Sequence, residues 1–294
     1  MRAVLRWTAI GAGLLLVLAA GLCVASYRRF SANITTDSAA EKVLAEYAAQ
    51  RPPSLVPQAR NILVLGADGG AATALRPGAT GAGANAAVLL HLSADRTRAA
   101  AVGVPGDLRV GVPNCRRPGG GALPAAYEPF AAAFRGGGAA CSIRAFERVS
   151  GVRVDHHLVV DVPRFDRIAA AVGGGTRDPR KSQAQDLRPQ DPHRDLLRAL
   201  AGAARSGGGS LAHPARLFGL LDTATSAITA DPGLSSLPAL YGLAGALRRL
   251  PADRVTLVTL PTAPGAAGVL RRPAADRLFA ALRADRPLVP DAEP

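Results

Sequence analysis

The chain has 294 residues, and its 35 basic side chains outnumber its 22 acidic ones to give a formal charge of +13. Its 32 glycines follow no three-residue period, which excludes a collagen-like chain, and an apolar content of 48% excludes a disordered one. Three cysteines are too few for a disulfide-rich scaffold.

The positive charge is almost entirely arginine and is spread along the chain. Such an excess favours an anionic partner, such as nucleic acid, a membrane surface or a phosphate-rich polymer. A GC-rich genome would favour the same Arg, Ala, Gly and Pro residues without any such partner. Composition alone leaves both interpretations open.

An uncharged apolar run at residues 7–27 follows Arg2 and Arg6, with Trp7 and Tyr27 at its two ends. At about 1.5 Å per residue in a helix, this run can cross a bilayer core of about 30 Å. The sequence therefore predicts an uncleaved transmembrane helix. A cleaved signal peptide is the alternative, because small residues at positions 24–26 form a passable cleavage site.

The next segment, residues 28–57, is polar and ends in a proline-rich stretch, so it is interpreted as a stalk and linker with a short helical patch at residues 39–50. Residues 58–285 alternate apolar runs with amphipathic segments, which indicates one α/β domain. A proline-rich tail follows at residues 286–294.

Short apolar runs predict strands within this domain, and amphipathic segments predict helices. The predicted strands are at residues 61–66, 87–92, 99–104, 157–162 and 254–260, with a hairpin turn at 93–96. The predicted helices are at residues 130–134, 143–149, 165–172, 194–204, 214–228, 237–250 and 274–284.

Two cysteines lie in the soluble part, Cys115 and Cys141, each beside glycine- and proline-rich sequence. In an exported domain they are expected to form one disulfide, worth about 3 kcal/mol in the loop-entropy model. Two unpaired buried thiols are the alternative.

Familiar catalytic signatures are absent from the sequence, including H-E-x-x-H, C-x-x-C and G-x-S-x-G. The adjacent His156 and His157 should point to opposite faces of a strand, which favours structural roles over a shared metal. Asp68 and Asp107 each end a predicted strand beside a glycine-containing loop. Such carboxylates suit a divalent metal or a basic group, although simple turn capping is the favoured reading from spacing alone.

Several segments together resemble one known family. The resemblance rests on N-I-L-V-L-G-A-D at 61–68, V-P-G-D at 104–107 and V-R-V-D-H-H-L-V-V-D-V at 152–162, in that order. These segments resemble the LytR-CpsA-Psr (LCP) family of extracytoplasmic enzymes, which attach glycopolymers to peptidoglycan. The sequences around Cys115 and Cys141 resemble its actinobacterial branch.

The resemblance implies a three-layer α/β/α domain with a mixed central sheet, preceded by one transmembrane helix with residues 1–6 in the cytoplasm. It implies a single-pass protein of the cell membrane whose C-terminal domain is extracytoplasmic. The implied partners are a polyprenyl-pyrophosphate lipid or lipid-linked glycan, peptidoglycan and the membrane, with no nucleic acid, and the implied cofactor is Mg²⁺.

Residue by residue, this sequence departs from the family's charged set. Asp68 matches the first metal carboxylate, but the second falls at Asn85, and the arginine of the family's P-R-D motif falls at Gly106. Another family arginine falls near Gly83.

The family's later arginines fall on Pro189 and Pro192. The candidate catalytic residues are therefore Asp107 with Arg188 and Arg194 as substitutes, and the candidate metal ligands are Asp68 and Asn85. Losing one charged contact to a transition state lowers the rate by about 10²–10³. We expect a degenerate family member with weak or absent transferase chemistry and weakened Mg²⁺ binding.

Three functions follow from these observations. The first is a transferase that is active through an unusual arginine set, and the second is a non-catalytic protein of the envelope that binds polyprenyl phosphate or acts as a scaffold. The third, a transcriptional regulator or attenuator, is weakest because an external domain cannot reach DNA and no helix-turn-helix is evident.

Overall fold

The computed structural model describes residues 2–67, 84–118, 120–161, 214–263, 265–266 and 268–288. Eleven strands lie in these ranges: β1 Thr35–Thr36, β2 Arg60–Ala67, β3 Ala84–Leu92, β4 Ala99–Pro105, β5 Arg109–Val112, β6 Cys115–Arg116, β7 Ala122–Leu123, β8 Ala126–Pro129, β9 His156–Asp161, β10 Ile228–Ala230 and β11 Val255–Thr259. The α-helices there are α1 Arg2–Asn33, α2 Ser38–Glu46, α3 Phe130–Ser150, α4 Pro214–Ser226, α5 Leu237–Arg248 and α6 Arg272–Arg283.

The main sheet is mixed and has seven strands in the order β1-β10-β9-β2-β3-β4-β11. At its centre, β2 pairs antiparallel with β3 and parallel with β9, and β3 pairs antiparallel with β4. The parallel pairs β2–β9 and β4–β11 need crossover connections, which is typical of α/β domains.

Helices cover both faces of this sheet. Leu63 and Leu65 of β2 face a core that includes buried residues of α2, α3 and α6. Ile62 and Val64, which alternate with them, face a second core that contacts α5. Because both faces are covered, β2 is apolar at nearly every position, as expected of a central strand. The predicted α/β/α layering with a mixed sheet is confirmed.

Most elements expected from the sequence are present. The turn at residues 93–96 joins β3 to β4, and the Ser93 N–H donates to the Arg98 carbonyl at 3.0 Å. The helices expected at 130–134 and 143–149 form the single element α3, which is broken at Gly138, where φ is 67°. The helix expected at 214–228 ends at Ser226, and β10 follows at once. The helices expected at 165–172 and 194–204 lie outside the described residues.

Two small two-stranded antiparallel sheets are additional to the sequence prediction. One pairs β5 with β8, and the other pairs β6 with β7. Strands of two to four residues carry too few alternating side chains for a period of two to be recognised.

Helix α1 contains the apolar run that the sequence predicts. Its stretch Ile10–Asn33 has 24 residues with a mean hydropathy of 2.1, and its most apolar window is not buried against the rest of the chain. This helix is therefore long and apolar enough to cross a membrane.

The segment at residues 28–57 differs from the stalk and linker that the sequence predicts. β1 is an outermost strand of the main sheet and pairs parallel with β10. Ala40, Val43 and Leu44 of α2 are buried in the core. These three residues are spaced i, i+3 and i+4, so they form one apolar face of a short helix. The helix is only nine residues long and lies in polar sequence, which hid this face.

A group of buried polar side chains attaches this segment to the sheet. The Asp37 carboxylate accepts a hydrogen bond from the Ala40 N–H at 2.9 Å, capping α2, and its other oxygen lies 3.3 Å from Nε2 of His157. His156 Nδ1 lies 3.0 Å from Oδ1 of Asp231, and the His157 N–H donates to Oδ2 of Asp231 at 2.9 Å. Each histidine therefore has a carboxylate partner.

The two soluble cysteines form the expected disulfide. Cys115 of β6 is bonded to Cys141 of α3, with their Cα atoms 5.9 Å apart and a sequence separation of 26. Both are fully buried, at 1% and 0% exposure. The bond ties the β6–β7 hairpin to the helix that packs beneath the sheet.

We expect Leu44→Ala to lower the free energy of unfolding by about 2–5 kcal/mol, because it opens a cavity in the core beneath the sheet. The exposed neighbour Lys42→Ala should change it by no more than about 0.5 kcal/mol. Denaturant unfolding of the full chain in detergent, followed by circular dichroism, measures both. Equal values for the two variants would mean that α2 belongs to a stalk.

Replacing Cys115 and Cys141 together by alanine should lower the free energy of unfolding by about 3 kcal/mol, because the unfolded chain gains the freedom of the opened loop. Cys23→Ala, which removes the exposed cysteine of α1, is the matched control and should leave stability unchanged. Chemical reduction of the unaltered chain should reproduce the loss. A double variant as stable as Cys23→Ala would contradict the prediction.

Candidate functional site

Four strand ends meet at one edge of the main sheet, here called the carboxyl edge: the ends of β2, β4 and β9 and the start of β3. Ala67 at the end of β2 pairs with both Asp161 of β9 and Ala84 of β3. Ala86 of β3 pairs with Pro105 at the end of β4. Loops that leave this edge begin side by side, which is where open α/β sheets commonly bind ligands.

Asn85, one of the two predicted metal ligands, lies in a β-bulge at this edge. Gly66 pairs with Ala86, whereas the next residue, Ala67, pairs with Ala84, so Asn85 is the extra residue on β3. A bulge bends the strand and redirects side chains, and such irregularities are common beside active sites. The bulge therefore places the backbone of Asn85 at the carboxyl edge.

Asp107, the predicted catalytic carboxylate, lies two residues beyond the end of β4. The Leu108 N–H donates to the Pro105 carbonyl at 3.1 Å, which closes a tight turn, and Asp107 itself is exposed. The Arg109 N–H donates to the carbonyl of Gly268 at 2.7 Å. Gly268 has a φ of +72° and packs against the Asp107 carbonyl so closely that a Cβ atom would not fit.

Gly106, at the family's arginine position, is held by the start of α3. Its carbonyl accepts a hydrogen bond from the Ala131 N–H at 2.8 Å. This contact fixes the backbone of the turn without supplying any positive charge. The turn therefore presents Asp107 beside a glycine, where the family has a guanidinium.

Asp161 is a carboxylate at this edge that the sequence analysis did not single out. It ends β9 in register with Ala67, is only 5% exposed, and its N–H donates to the Ala227 carbonyl at 2.9 Å. It lies inside the V-V-D-V segment quoted for the family resemblance. The signal that could have found it is the one that marked Asp68 and Asp107, namely a carboxylate that ends an apolar strand.

The remaining predicted site residues, Asp68, Arg188 and Arg194, lie outside the described residues, as does Gly83. Within the described ranges, no group of three or more His, Cys, Asp or Glu side chains is placed to hold a metal ion. The carboxyl edge thus carries Asp161 at the end of β9, the backbone of Asn85 on β3 and Asp107 beyond β4, with β2 and β3 between the strands of the two carboxylates.

Helix α1 ends at this same edge. It ends at Asn33, and Thr35 of β1 pairs with Thr229, which pairs in turn with Val159. Val159 pairs with Leu65, two residues before the end of β2. The apolar helix therefore enters the domain beside the carboxyl edge.

Contacts with α4 hold the last turns of α1 in place. Arg29 Nε donates to Asp222 Oδ1 at 2.8 Å, and Asn33 Nδ2 donates to the same oxygen at 3.0 Å. The Phe30 and Phe218 rings pack with centroids 4.9 Å apart, and the Arg29 guanidinium lies 5.4 Å from the centroid of Phe218. Hydrogen bonds from Arg29 and Asn33 lower the pKa of Asp222 below its usual value.

The chain matches a known protein family. A model of the LytR_cpsA_psr family matches residues 27–198, more than half of the chain. No curated protein sequence matches the chain significantly.

Solved structures resemble the fold at low sequence identity. A LytR-Csp2A-Psr enzyme from Actinomyces oris is 18% identical, with a TM-score of 0.52 over 79% of this chain and 93% of that one. TagV of B. subtilis is 12% identical, with a TM-score of 0.54 over 78% of this chain and 99% of that one. The protein gbs0355 from Streptococcus agalactiae is also 12% identical, with a TM-score of 0.54 over 81% of this chain and 93% of that one. At these identities the likeness concerns the fold.

We expect Arg29→Ala to loosen the attachment of α1 to α4, because it removes both the ion pair with Asp222 and the contact with the Phe218 ring. Amide hydrogen exchange at residues 218–226 should become about two- to fivefold faster. Arg28→Ala, which removes the neighbouring exposed arginine, is the matched control and should leave exchange unchanged. Equal exchange in the two variants would show that Arg29 does not hold the helix.

Proposed function

The chain belongs to the LytR_cpsA_psr family, and we propose that it is a membrane-anchored protein of the cell envelope that binds a polyprenyl-pyrophosphate-linked glycan at the carboxyl edge but transfers it weakly or not at all. The family's role in attaching cell-wall glycopolymers supplies the ligand class. Peptidoglycan is the proposed acceptor surface. The proposed location is the outer side of a membrane crossed once by α1.

One observation carries the proposal: the carboxyl edge keeps the family's strand framework but not its charges. Asp107 and Asp161 are present at the ends of β4 and β9, whereas the position of the family's arginine is Gly106. The position of its second metal carboxylate is Asn85, in the bulge of β3. The framework supports ligand binding, and the lost charges support weak chemistry.

The physical reason lies in the leaving group. Transfer from a pyrophosphate-linked donor develops negative charge on the leaving phosphate, and catalysis of such a step is mainly electrostatic stabilisation by positive groups. A glycine supplies none of this stabilisation. Each missing contact costs about 10²–10³ in rate, so losing several removes most of the acceleration.

Magnesium binding is expected to be weakened for the same reason. Mg²⁺ prefers carboxylate oxygens, and an amide oxygen in place of a carboxylate removes one negative charge from the ligand set. The described residues of the carboxyl edge do not by themselves form a complete Mg²⁺ site.

The position of α1 supports a lipid-borne ligand. Its apolar stretch Ile10–Asn33 ends beside the carboxyl edge, so the binding edge would lie close to the membrane surface from which a polyprenyl lipid is presented. The disulfide between Cys115 and Cys141 supports an oxidising, extracytoplasmic location for the domain.

The test restores the missing charges. The full chain in detergent micelles is supplied with polyprenyl-pyrophosphate-linked glycan, peptidoglycan and Mg²⁺, and glycan transfer is measured. The unaltered chain should bind the lipid with little turnover, and the double variant Asn85→Asp and Gly106→Arg should transfer glycan about 10²-fold faster or more. Gly106 does not have a positive φ, so its backbone conformation is open to an arginine.

The matched control is the double variant Asn114→Asp and Gly242→Arg, which makes the same changes of charge at two exposed positions away from the carboxyl edge. It should remain as inactive as the unaltered chain. Rapid Mg²⁺-dependent transfer by the unaltered chain would contradict the proposed loss of activity. Failure of the unaltered chain to bind polyprenyl phosphate would contradict the proposed ligand.

A further inference from the structure

A cavity of about 240 Å³ lies between α3 and the residues that follow α2, away from the carboxyl edge. Gln50, Arg51, Pro113, Arg144 and Arg148 contribute to its wall, together with a single carboxylate from α3. Arg51 Nη2 donates to the carbonyl of Val154 at 2.7 Å, just before β9 begins, whereas the carboxyl edge is where β9 ends. The cavity and the proposed glycan site are therefore at opposite ends of the same strand.

The one carboxylate in the wall, Glu147, is already saturated with partners. Arg51 donates to it from Nε at 3.0 Å and from Nη2 at 2.8 Å. The N–H of Val154 donates to the same side chain at 3.0 Å. Glu147 is 4% exposed and neutralises Arg51 in a buried two-point contact, and in the described part of the chain it forms no hydrogen bond with Arg144 or Arg148.

Arg144 is the unusual member of the wall. It is only 5% exposed, and its guanidinium stacks on the Tyr47 ring at 3.4 Å from the ring centroid. Its Nη2 donates to Oε1 of Gln50 at 2.9 Å, but Nε and Nη1 are buried without any hydrogen-bond partner. Burial lowers the pKa of Arg144 below its usual value; Tyr47 and Glu147 oppose this shift, whereas the nearby charges of Arg148 and Arg51 add to it.

Arg148 adds a second uncompensated charge. It follows Arg144 by four residues on α3, so the two guanidinium groups lie on one face of the helix, where like charges repel. Arg148 is exposed, and among the described residues it forms no ion pair. The cavity wall therefore carries three positive groups against one negative group.

We propose that this cavity binds a phosphate group. A phosphate has several acceptor oxygens for the unpartnered Nε and Nη1 of Arg144, and planar guanidinium groups bind phosphate with paired hydrogen bonds. It also carries between one and two negative charges near neutral pH, which matches the two uncompensated arginines better than a carboxylate does. A volume of 240 Å³ accommodates a phosphate with a small attached group.

A purely structural role for Arg144 explains less. Stacking on Tyr47 and the bond to Gln50 account for the ring contact and for Nη2. They leave two donor nitrogens, Nε and Nη1, buried without partners, which is costly, since buried donors in native proteins are almost always satisfied. An anion in the cavity accounts for both groups and for the placement of Arg148.

The experiment measures phosphate binding by the full chain in detergent. Thermal unfolding is followed while inorganic phosphate or glycerol 3-phosphate is added, with chloride at matched ionic strength as the reference. Either phosphate should raise the unfolding temperature of the unaltered chain in a saturable way, and the tighter of the two identifies a free or an esterified phosphate as the source. Arg148→Gln and Arg144→Gln should each weaken binding by about tenfold or more.

Arg249→Gln is the matched control, because it removes one exposed arginine beyond α5, on the other face of the sheet. It should bind phosphate like the unaltered chain. No phosphate-specific stabilisation of the unaltered chain would overturn the proposal, as would equal stabilisation in Arg148→Gln. Since Arg148 is exposed, this variant decides the outcome even if Arg144→Gln fails to fold.

Discussion

Asp37 is the residue through which the N-terminal segment becomes part of the domain. Its carboxylate caps α2 and faces the buried His157 of β9, while its own N–H donates to the carbonyl of Ala230 at 2.7 Å. These bonds require β1 to lie against β10, and β1 in turn requires α1 to end at the carboxyl edge. A helix that can cross a membrane is thus attached directly to the edge where we propose that the lipid-linked glycan binds. A long free stalk would leave the distance between the apolar helix and the carboxyl edge undefined.

The arginine excess is informative once its positions are known. At the carboxyl edge, where the proposed pyrophosphate ligand would need positive charge, Gly106 stands at the position where the family resemblance implies an arginine. At the other end of β9, Arg144 and Arg148 line a cavity in which the only carboxylate is already bound. The arginines that give the chain its net charge of +13 are therefore distributed unevenly between these two ends of the sheet. Part of the scattered arginine remains consistent with base composition alone.

The agreement between sequence and structure depends on how much local signal each element carries. The central strands β2, β3, β4, β9 and β11 are apolar runs bounded by turn residues, and they were predictable to within a few residues. The N-terminal part of the domain was misjudged because β1 has two residues and α2 has nine. Their stability comes from pairing with β10 and from burial of Leu44, both of which involve residues far away in the sequence.

By itself, the sequence determined the apolar helix, the α/β class, the pair of cysteines and the family, because each rests on residue types at fixed spacing. It also predicts, through the family resemblance, that Asn85 and Gly106 stand where charged residues are expected. Only the tertiary structure decided that Asp161 shares an edge with Asn85 and Asp107, since strand register brings together residues far apart in the chain. The same holds for the cavity at Arg144, because burial without a partner is a property of packing and not of any one residue.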